Sequence, residues 1–263
     1  MTPYWAMLSG RFRVLLQYRA AALAGLGTQL FFGYVLVMGY RAFYAAASTP
    51  QPMTLEEMVT YIWLGQALLG LLPWAADPSI VALVRTGGVA YELLRPVDLY
   101  WFWYSRAIAQ RTAPTLLRCV PMFAVAFLFL GMRLPPSLAS GMAWAAATFC
   151  AVLLASAISA LTGITLLWTL SGEGLGTLIP AMVMLLSGML VPIPLLPEWA
   201  QSVLNALPFR GVIDIPFRLY LGHIPPAQAL PMLALQLAWT AAIILFSRWL
   251  LHRGLRQLVI QGG

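Results

Sequence analysis

Few groups in this 263-residue chain can do chemistry: eight carboxylates, two histidines, two cysteines and fifteen basic side chains, all of them arginine. The absence of lysine excludes a Walker-type phosphate loop, which needs a Gly-Lys-Ser/Thr element to cradle a nucleotide. The glycine-rich stretch Ser171-Gly172-Glu173-Gly174-Leu175-Gly176 therefore reads as a turn, with Gly172 and Gly176 only incidentally spaced as small-xxx-small. Cys119 and Cys150 fall within apolar runs and read as small packing residues. His223 and His252 lie too far apart in the expected topology to share a metal with them. What remains is one dense stretch of mixed charge: Arg85-Thr86-Gly87, then Glu92-Leu93-Leu94-Arg95-Pro96-Val97-Asp98 ahead of Tyr100-Trp101-Phe102-Trp103-Tyr104. Paired charges between tight turns suit docking and bracing, not bond breaking.

The elements that must position this stretch are apolar to an unusual degree. The chain is 61% hydrophobic, and it carries no charge over Ala20–Tyr40, Met58–Ala76, Leu134–Gly172, Gly174–Pro197 and Ile224–Ser247. A helix of about 20 apolar residues crosses the hydrocarbon core of a bilayer. The pattern predicts an all-α polytopic membrane protein, a single domain over 1–263. A further span begins near Ala113, which places Arg118 one to two turns inside its end, snorkelling to headgroups or facing protein or water. The expected spans are 20–40, 57–77, 113–132, 138–168, 176–192 and 227–249.

Arginine placement sets the expected orientation. With the N-terminus cytoplasmic, the inner side carries Arg11, Arg13, Arg19, Arg85, Arg95, Arg106, Arg111, Arg118, Arg248, Arg253 and Arg256. The outer side carries only Arg41, Arg133, Arg210 and Arg218. The net charge of +7 is thus spread along the inner face and forms no patch for nucleic acid. Residues 1–19 read as a helix in the inner interface, with Trp5, Leu8, Phe12, Leu15 and Leu16 on one face. Thr54 followed by Glu57 is a capping box that starts the second span near Leu55. Residues 79–112 form the longest inner segment, its five aromatics marking an interfacial belt. Residues 193–226, bounded by prolines, hold two external or re-entrant helices, the first from Leu196 and the second around Val212–Leu221.

With these residues in view, the chain resembles the membrane-spanning permease subunits of the type-2 ABC transporter family, a class associated largely with bacterial export. The resemblance rests on three features. These are the interfacial helix ahead of the spans, the inner segment with Arg85-Thr86-Gly87 and Glu92 to Asp98, and Ser187-Gly188 to Pro192 followed by Leu196-Pro197-Glu198-Trp199 and Leu207-Pro208-Phe209. Gly88 departs from the pattern, standing where an acidic or polar residue is expected. The resemblance implies a bacterial inner-membrane protein with both termini cytoplasmic. It implies pairing with a second permease, identical or homologous, and two copies of a cytoplasmic ATP-binding-cassette ATPase that hold the ATP and magnesium, with no cofactor in this chain. By the same resemblance Ser79–Arg85 is the coupling helix, with Val81, Val84 and Arg85 meeting the ATPase and Glu92, Arg95 and Asp98 bracing it. Spans two and five then line the path, Gln66, Met182 and Met184 among their residues.

Other classes fit less well. An ion-coupled secondary transporter, the alternative reading, usually carries ionisable groups near mid-membrane. Spans one, four, five and six have none there. An intramembrane enzyme needs a Ser/His pair, paired aspartates or a metal site, and Ser156, Ser159 and Thr162 read instead as helix-packing residues. An apolar path suits an amphiphilic substrate, and methionines adapt to such a cargo.

Overall fold

The computed structural model describes residues 2–168 and 173–257, and all regular structure among them is helical. In chain order the helices are α1 Pro3–Leu16, α2 Arg19–Ala46, α3 Leu55–Ala67, α4 Pro78–Arg85, α5 Val89–Leu93, α6 Leu99–Phe129, α7 Leu138–Thr165, α8 Glu173–Leu186, α9 Glu198–Ala206, α10 Asp214–Leu221 and α11 Ala229–Gln257. Residues 169–172 of the expected glycine-rich turn, and the chain after 257, lie outside the described residues.

Four helical segments are long and apolar enough to cross a membrane: Arg19–Ala46, Leu99–Phe129, Leu138–Thr165 and Pro226–Arg256. They play unequal parts. The apolar window of α7 is 78% buried inside the molecule, against 17% to 28% for the other three. Its composition explains this: Ala143, Ala147, Ala151, Ala155, Ala157, Ala160 and Gly163 are small enough to let neighbouring backbones approach. Accordingly α6, α10 and α11 all pack on α7, while α2 and α3 pack on α6 and on each other. The largest core cluster joins Trp63, Met122, Leu154 and Phe217, from α3, α6, α7 and α10. A second, toward the inner end in the expected orientation, joins Ile80, Val89, Tyr100, Trp103, Ile164 and Leu251.

The structure departs from the sequence expectation at three of the predicted spans, one of them 176–192, where α8 ends at Leu186 and the chain turns at Gly188. Over 57–77 the helix stops at Ala67 and tightens into a 3₁₀ turn at Leu69–Leu71. Leu72 is then extended with ψ 137°. Pro73 follows, and a proline ring drives the residue before it out of helical backbone. The carbonyls of Leu72 and Ala75 are taken up by the buried guanidinium of Arg111 from α6. At 113–132 the helix is longer than expected, starting at Leu99. The aromatic run is therefore its first turns and not a surface belt, and Tyr100, Phe102, Trp103 and Tyr104 are all buried in protein. Asp98 makes this start, its carboxylate accepting from Trp101 N at 3.1 Å. The Thr54/Glu57 cap forms reciprocally, with Glu57 N donating to Thr54 Oγ1 at 3.2 Å and Thr54 N to Glu57 Oε2 at 2.7 Å. Both α3 and α8 are short, 13 and 14 residues, or about 20 Å each at 1.5 Å per residue.

Candidate functional site

The mixed-charge stretch folds into two short helices beneath the bundle. Asp77 caps α4, its Oδ1 accepting from Ser79 N at 2.9 Å, and Pro78 occupies the first turn, where its missing N–H costs nothing. The helix ends at Thr86, whose hydroxyl donates back to Ala82 O at 2.8 Å. Gly87, at φ +73°, then reverses the chain, a backbone state that favours glycine. Gly88 precedes α5 and is buried against Leu83. A second turn at Arg95–Val97 leads into α6.

One face of this pair is fixed to the bundle. Ile80 is buried and lies against Gly163 of α7, while Leu83 and Val84 pack partly against the second core cluster. Behind them sits a buried ionic network. Arg106 of α6 reaches Asp77 through Nε at 3.0 Å and Glu92 through a terminal nitrogen at 3.7 Å, and it also donates to Ser79 Oγ. Trp103 Nε1 donates to Glu92 Oε2 at 2.6 Å. Asp77, Glu92 and Arg106 are each more than nine-tenths buried. One guanidinium thus ties the start of α4 to α5 and both to α6. Charges removed from water are costly unless paired. Here Asp77 Oδ2 has the Arg106 charge beside it but no hydrogen-bond partner, so direction comes from the bonds of Asp77 Oδ1 to Ser79 and of Glu92 Oε2 to Trp103.

A second anchor lies at Asp98. Its carboxylate pairs with Arg248 of α11 at 3.1 Å, and its backbone N–H donates to the Tyr4 hydroxyl of α1 at 3.1 Å. Arg248 in turn sits over the Trp101 ring, 5.7 Å from its centroid. Helix α1 lies along α6, so Asp98 joins the start of α6 to both termini of the helical bundle. The opposite face of the α4–α5 pair is open. Ala82, Arg85, Thr86, Tyr91, Leu93, Leu94 and Arg95 are exposed, Tyr91 and Leu94 at 77% and 81%.

The expected site residues therefore divide. Glu92 belongs to the brace. Asp98 braces through α1 and α11, and Arg95 stacks over Phe102 at 5.4 Å and points outward. Arg85 is on the open face, whereas Val81 and Val84 are half-buried and Val84 turns to the core. Sequence reasoning missed Asp77, Trp103, Arg106 and Arg248. The partners of Arg106 lie 14 and 29 positions away (106 − 92 and 106 − 77), beyond any local pattern.

The expected path residues do not gather in one place. Gln66 is buried and lines a small cavity with Tyr40, Met58, Tyr61, Met189 and Pro192. Met182 is exposed and Met184 half-buried on α8, and neither reaches this cavity. One wall, Met189, Leu190 and Pro192, follows the turn at Gly188, which is at φ +89° and is held by the Tyr61 hydroxyl donating to Gly188 O at 2.9 Å. The Tyr40 hydroxyl donates to Leu190 O at 3.3 Å.

With this geometry in place, comparison with known families is decisive: the family model described as ABC-2 family transporter protein matches residues 30–262. The chain belongs to this family. No curated protein matches it. It is a multi-pass ABC transporter permease, and the family places ATP hydrolysis on an associated subunit. The match takes in α4, α5 and the whole Arg106 network, whereas α1 precedes it. Helix α1 is tied to the bundle by its packing along α6, by Tyr4 and Met7 against the second core cluster, and by the Tyr4–Asp98 bond.

Proposed function

We propose that this permease pairs with a second permease, identical or homologous, to form a path for export of an amphiphilic substrate across a bacterial inner membrane. The work comes from two copies of a separate cytoplasmic ATP-binding-cassette ATPase that bind ATP and magnesium. The chain crosses six times, α3 and α8 making the short second and fifth crossings, with both termini cytoplasmic. Helix α4 is the coupling helix. One observation carries this reading: the α4–α5 pair is exposed on one face and locked by buried charge on the other. A transmitting part needs that combination, an open surface for a partner and a back that cannot yield.

The division of surface assigns the contacts. Arg85, Tyr91, Leu94 and Arg95 meet the ATPase; tyrosine and arginine are residue types enriched where interfaces bind tightly, and Leu94 adds apolar area beside them. Asp77, Glu92 and Arg106 transmit its motion to α6. The chain contributes no phosphate loop, so the purified permease hydrolyses no ATP and the assembled complex does. The test introduces single cysteines at Tyr91 and Leu94 in place of those residues, after replacing Cys119 and Cys150. Both positions are expected to label with a thiol reagent in the permease alone and to be protected when the ATPase subunit is bound. Equal labelling with and without the partner returns α4–α5 to a surface linker.

A further inference from the structure

Helix α6 carries three arginines along its length, and two of them have protein partners for their terminal nitrogens among the described residues, although the Arg111 Nε, like that of Arg118, is buried without one. Arg106 holds two carboxylates, and Arg111 holds two backbone carbonyls. Arg118, two turns further on, has no hydrogen bond or ion pair among the described residues, and its Nε is buried without a partner. Its guanidinium lies flat against Gly25 of α2, where an added Cβ would stand 2.9 Å from Cζ. One turn further along the same face of α2 is Gln29. It is only 4% exposed, and both its amide nitrogen and its amide oxygen lack partners. Buried polar groups are almost always paired, and a set left open together at one seam points to something that fills it.

The setting defines the chemistry of that partner. Gly25 is six positions into α2 from Arg19, about 9 Å along the axis, so in the proposed topology the seam lies within the inner leaflet. Only 22% and 28% of the apolar windows of α2 and α6 are buried in the molecule, so most of their apolar surface is left for lipid or a second permease to cover. An unpaired guanidinium at that depth is costly, and intramembrane arginines mark ligand paths or counter-ion sites. Its planar fork matches the two oxygens of a phosphate or carboxylate, and the Gln29 amide can donate to the same group. We propose that Arg118 and Gln29, in the seam between α2 and α6, bind the anionic headgroup, phosphate or carboxylate, of an amphiphile in the inner leaflet. The inner-leaflet placement, and whether that amphiphile is cargo or a resident lipid, rest on the reading above; the headgroup contacts of Arg118 and Gln29 do not.

The test is native mass spectrometry of the full-length permease in neutral detergent, titrated with phosphatidylglycerol or with zwitterionic phosphatidylcholine. The wild type is expected to retain phosphatidylglycerol in preference by roughly tenfold, the scale of one charge-assisted contact. Arg118→Gln removes the preference, and Arg118→Lys keeps part of it as a point charge. Gly25→Ala pushes the flexible guanidinium out of the seam and lowers the preference without unfolding the protein. It decides the matter should Arg118→Gln fail to fold. Gln29→Leu weakens binding severalfold with no loss of thermal stability, because it removes an unsatisfied buried amide. Wild-type preference retained in both Arg118→Gln and Gly25→Ala overturns the proposal, as does equal retention of the two lipids by the wild type. In liposomes holding the permease with its ATPase, ATP-dependent movement of a fluorescent phosphatidylglycerol to the outer leaflet makes the bound amphiphile cargo, and binding without movement makes it resident. Failure of any ATPase to dock removes the proposed function and leaves the binding measurement standing.

Discussion

The molecule buries charge at both ends of its bundle, and does so in two different ways. In the cluster that the proposed topology places inside, here the inner one, each carboxylate has one oxygen with a directional partner. Asp77 Oδ1 accepts from Ser79 and Glu92 Oε2 from Trp103 at 2.6 Å, while Asp77 Oδ2 faces Arg106 at 3.0 Å through charge. In the outer cluster Asp214 is fully buried at the start of α10, with Arg210 at 3.5 Å and Arg218 at 3.7 Å. Neither of its oxygens has a hydrogen bond of good geometry among the described residues, Arg218 coming nearest to making one. Arg210 instead donates to Asn205 of α9. The inner cluster combines charge with hydrogen-bond direction and so fixes one orientation. The other cluster, outer in the proposed topology, is held chiefly by charge attraction, which falls slowly with distance and tolerates a shift of partners.

The most severe way to break this contrast is to cut the inner network at its centre. Arg106→Ala leaves two buried carboxylates unmatched, and removing one partner of a buried pair typically costs about 3–5 kcal/mol. Thermal unfolding of the purified permease is expected to shift down strongly, and ATPase coupling should fall even in molecules that remain folded. An intermediate variant, Glu92→Gln, keeps an acceptor for Trp103 and removes one charge, so it should lose less. Wild-type stability in Arg106→Ala would mean that the network is ornamental and that α4 is held by Ile80 and Leu83 alone.

The outer cluster predicts a smaller effect with a different signature. Burial pushes the Asp214 carboxyl up from its ordinary range, with Arg218 and Arg210 pulling against that shift. A raised carboxyl takes up its proton at a higher pH in the folded protein than in the unfolded chain. As pH falls from neutral toward the ordinary carboxylate range, the folded state therefore binds more protons and gains stability relative to the unfolded state. Asp214→Asn is expected to cost about 1–3 kcal/mol at neutral pH, since Arg210 keeps Asn205 and Arg218 is partly exposed. It should also flatten the pH dependence in that window. The measurement is unfolding midpoint against pH for wild type and variant, and parallel curves would show that Asp214 does not titrate there.

How much of this was legible in the sequence follows from distance along the chain. The uncharged runs foretold the long helices because hydropathy is summed locally, and the Thr54/Glu57 cap was visible because its residues are three apart. Glu92, Arg95 and Asp98 stood out as a cluster of charge within seven positions. The inner network was hidden: its centre, Arg106, reads as one more inner positive, and Trp103 reads as interfacial aromatic. Pro73 was in plain sight, yet the run through it is so apolar that span length overrode a local helix stop. Its freed carbonyls are answered by Arg111, 36 and 39 positions on, which no window in the sequence connects to them.

The smaller tests sharpen the comparison by asking what position alone does to the same chemistry. Thr54→Ala removes one half of a cap at the outer end of α3, where substitution of a capping threonine by alanine costs about 1 kcal/mol. The loss should be local and should leave the inner network's contribution unchanged, so Thr54→Ala combined with Arg106→Ala is expected to be additive.

The smallest effect belongs to Arg133 and Glu56, an ion pair of close geometry whose side chains are 61% and 59% exposed. It has the same groups as the inner pair of Arg106 with Asp77, which are 9% and 7% exposed. If contact geometry set the strength of these pairs, the two would be equal. Solvent screening argues otherwise, because an exposed arginine and carboxylate regain nearly all of their interaction from water when separated. A double-mutant cycle of Arg133→Ala and Glu56→Ala is expected to give a coupling of about 0.2–1 kcal/mol, falling further in high salt. The corresponding cycle at Arg106 and Asp77 should exceed it severalfold and respond little to salt. Equal couplings at the two sites would show that burial is not what makes the inner network rigid, and the distinction between the two ends of the bundle would then have to be sought in packing.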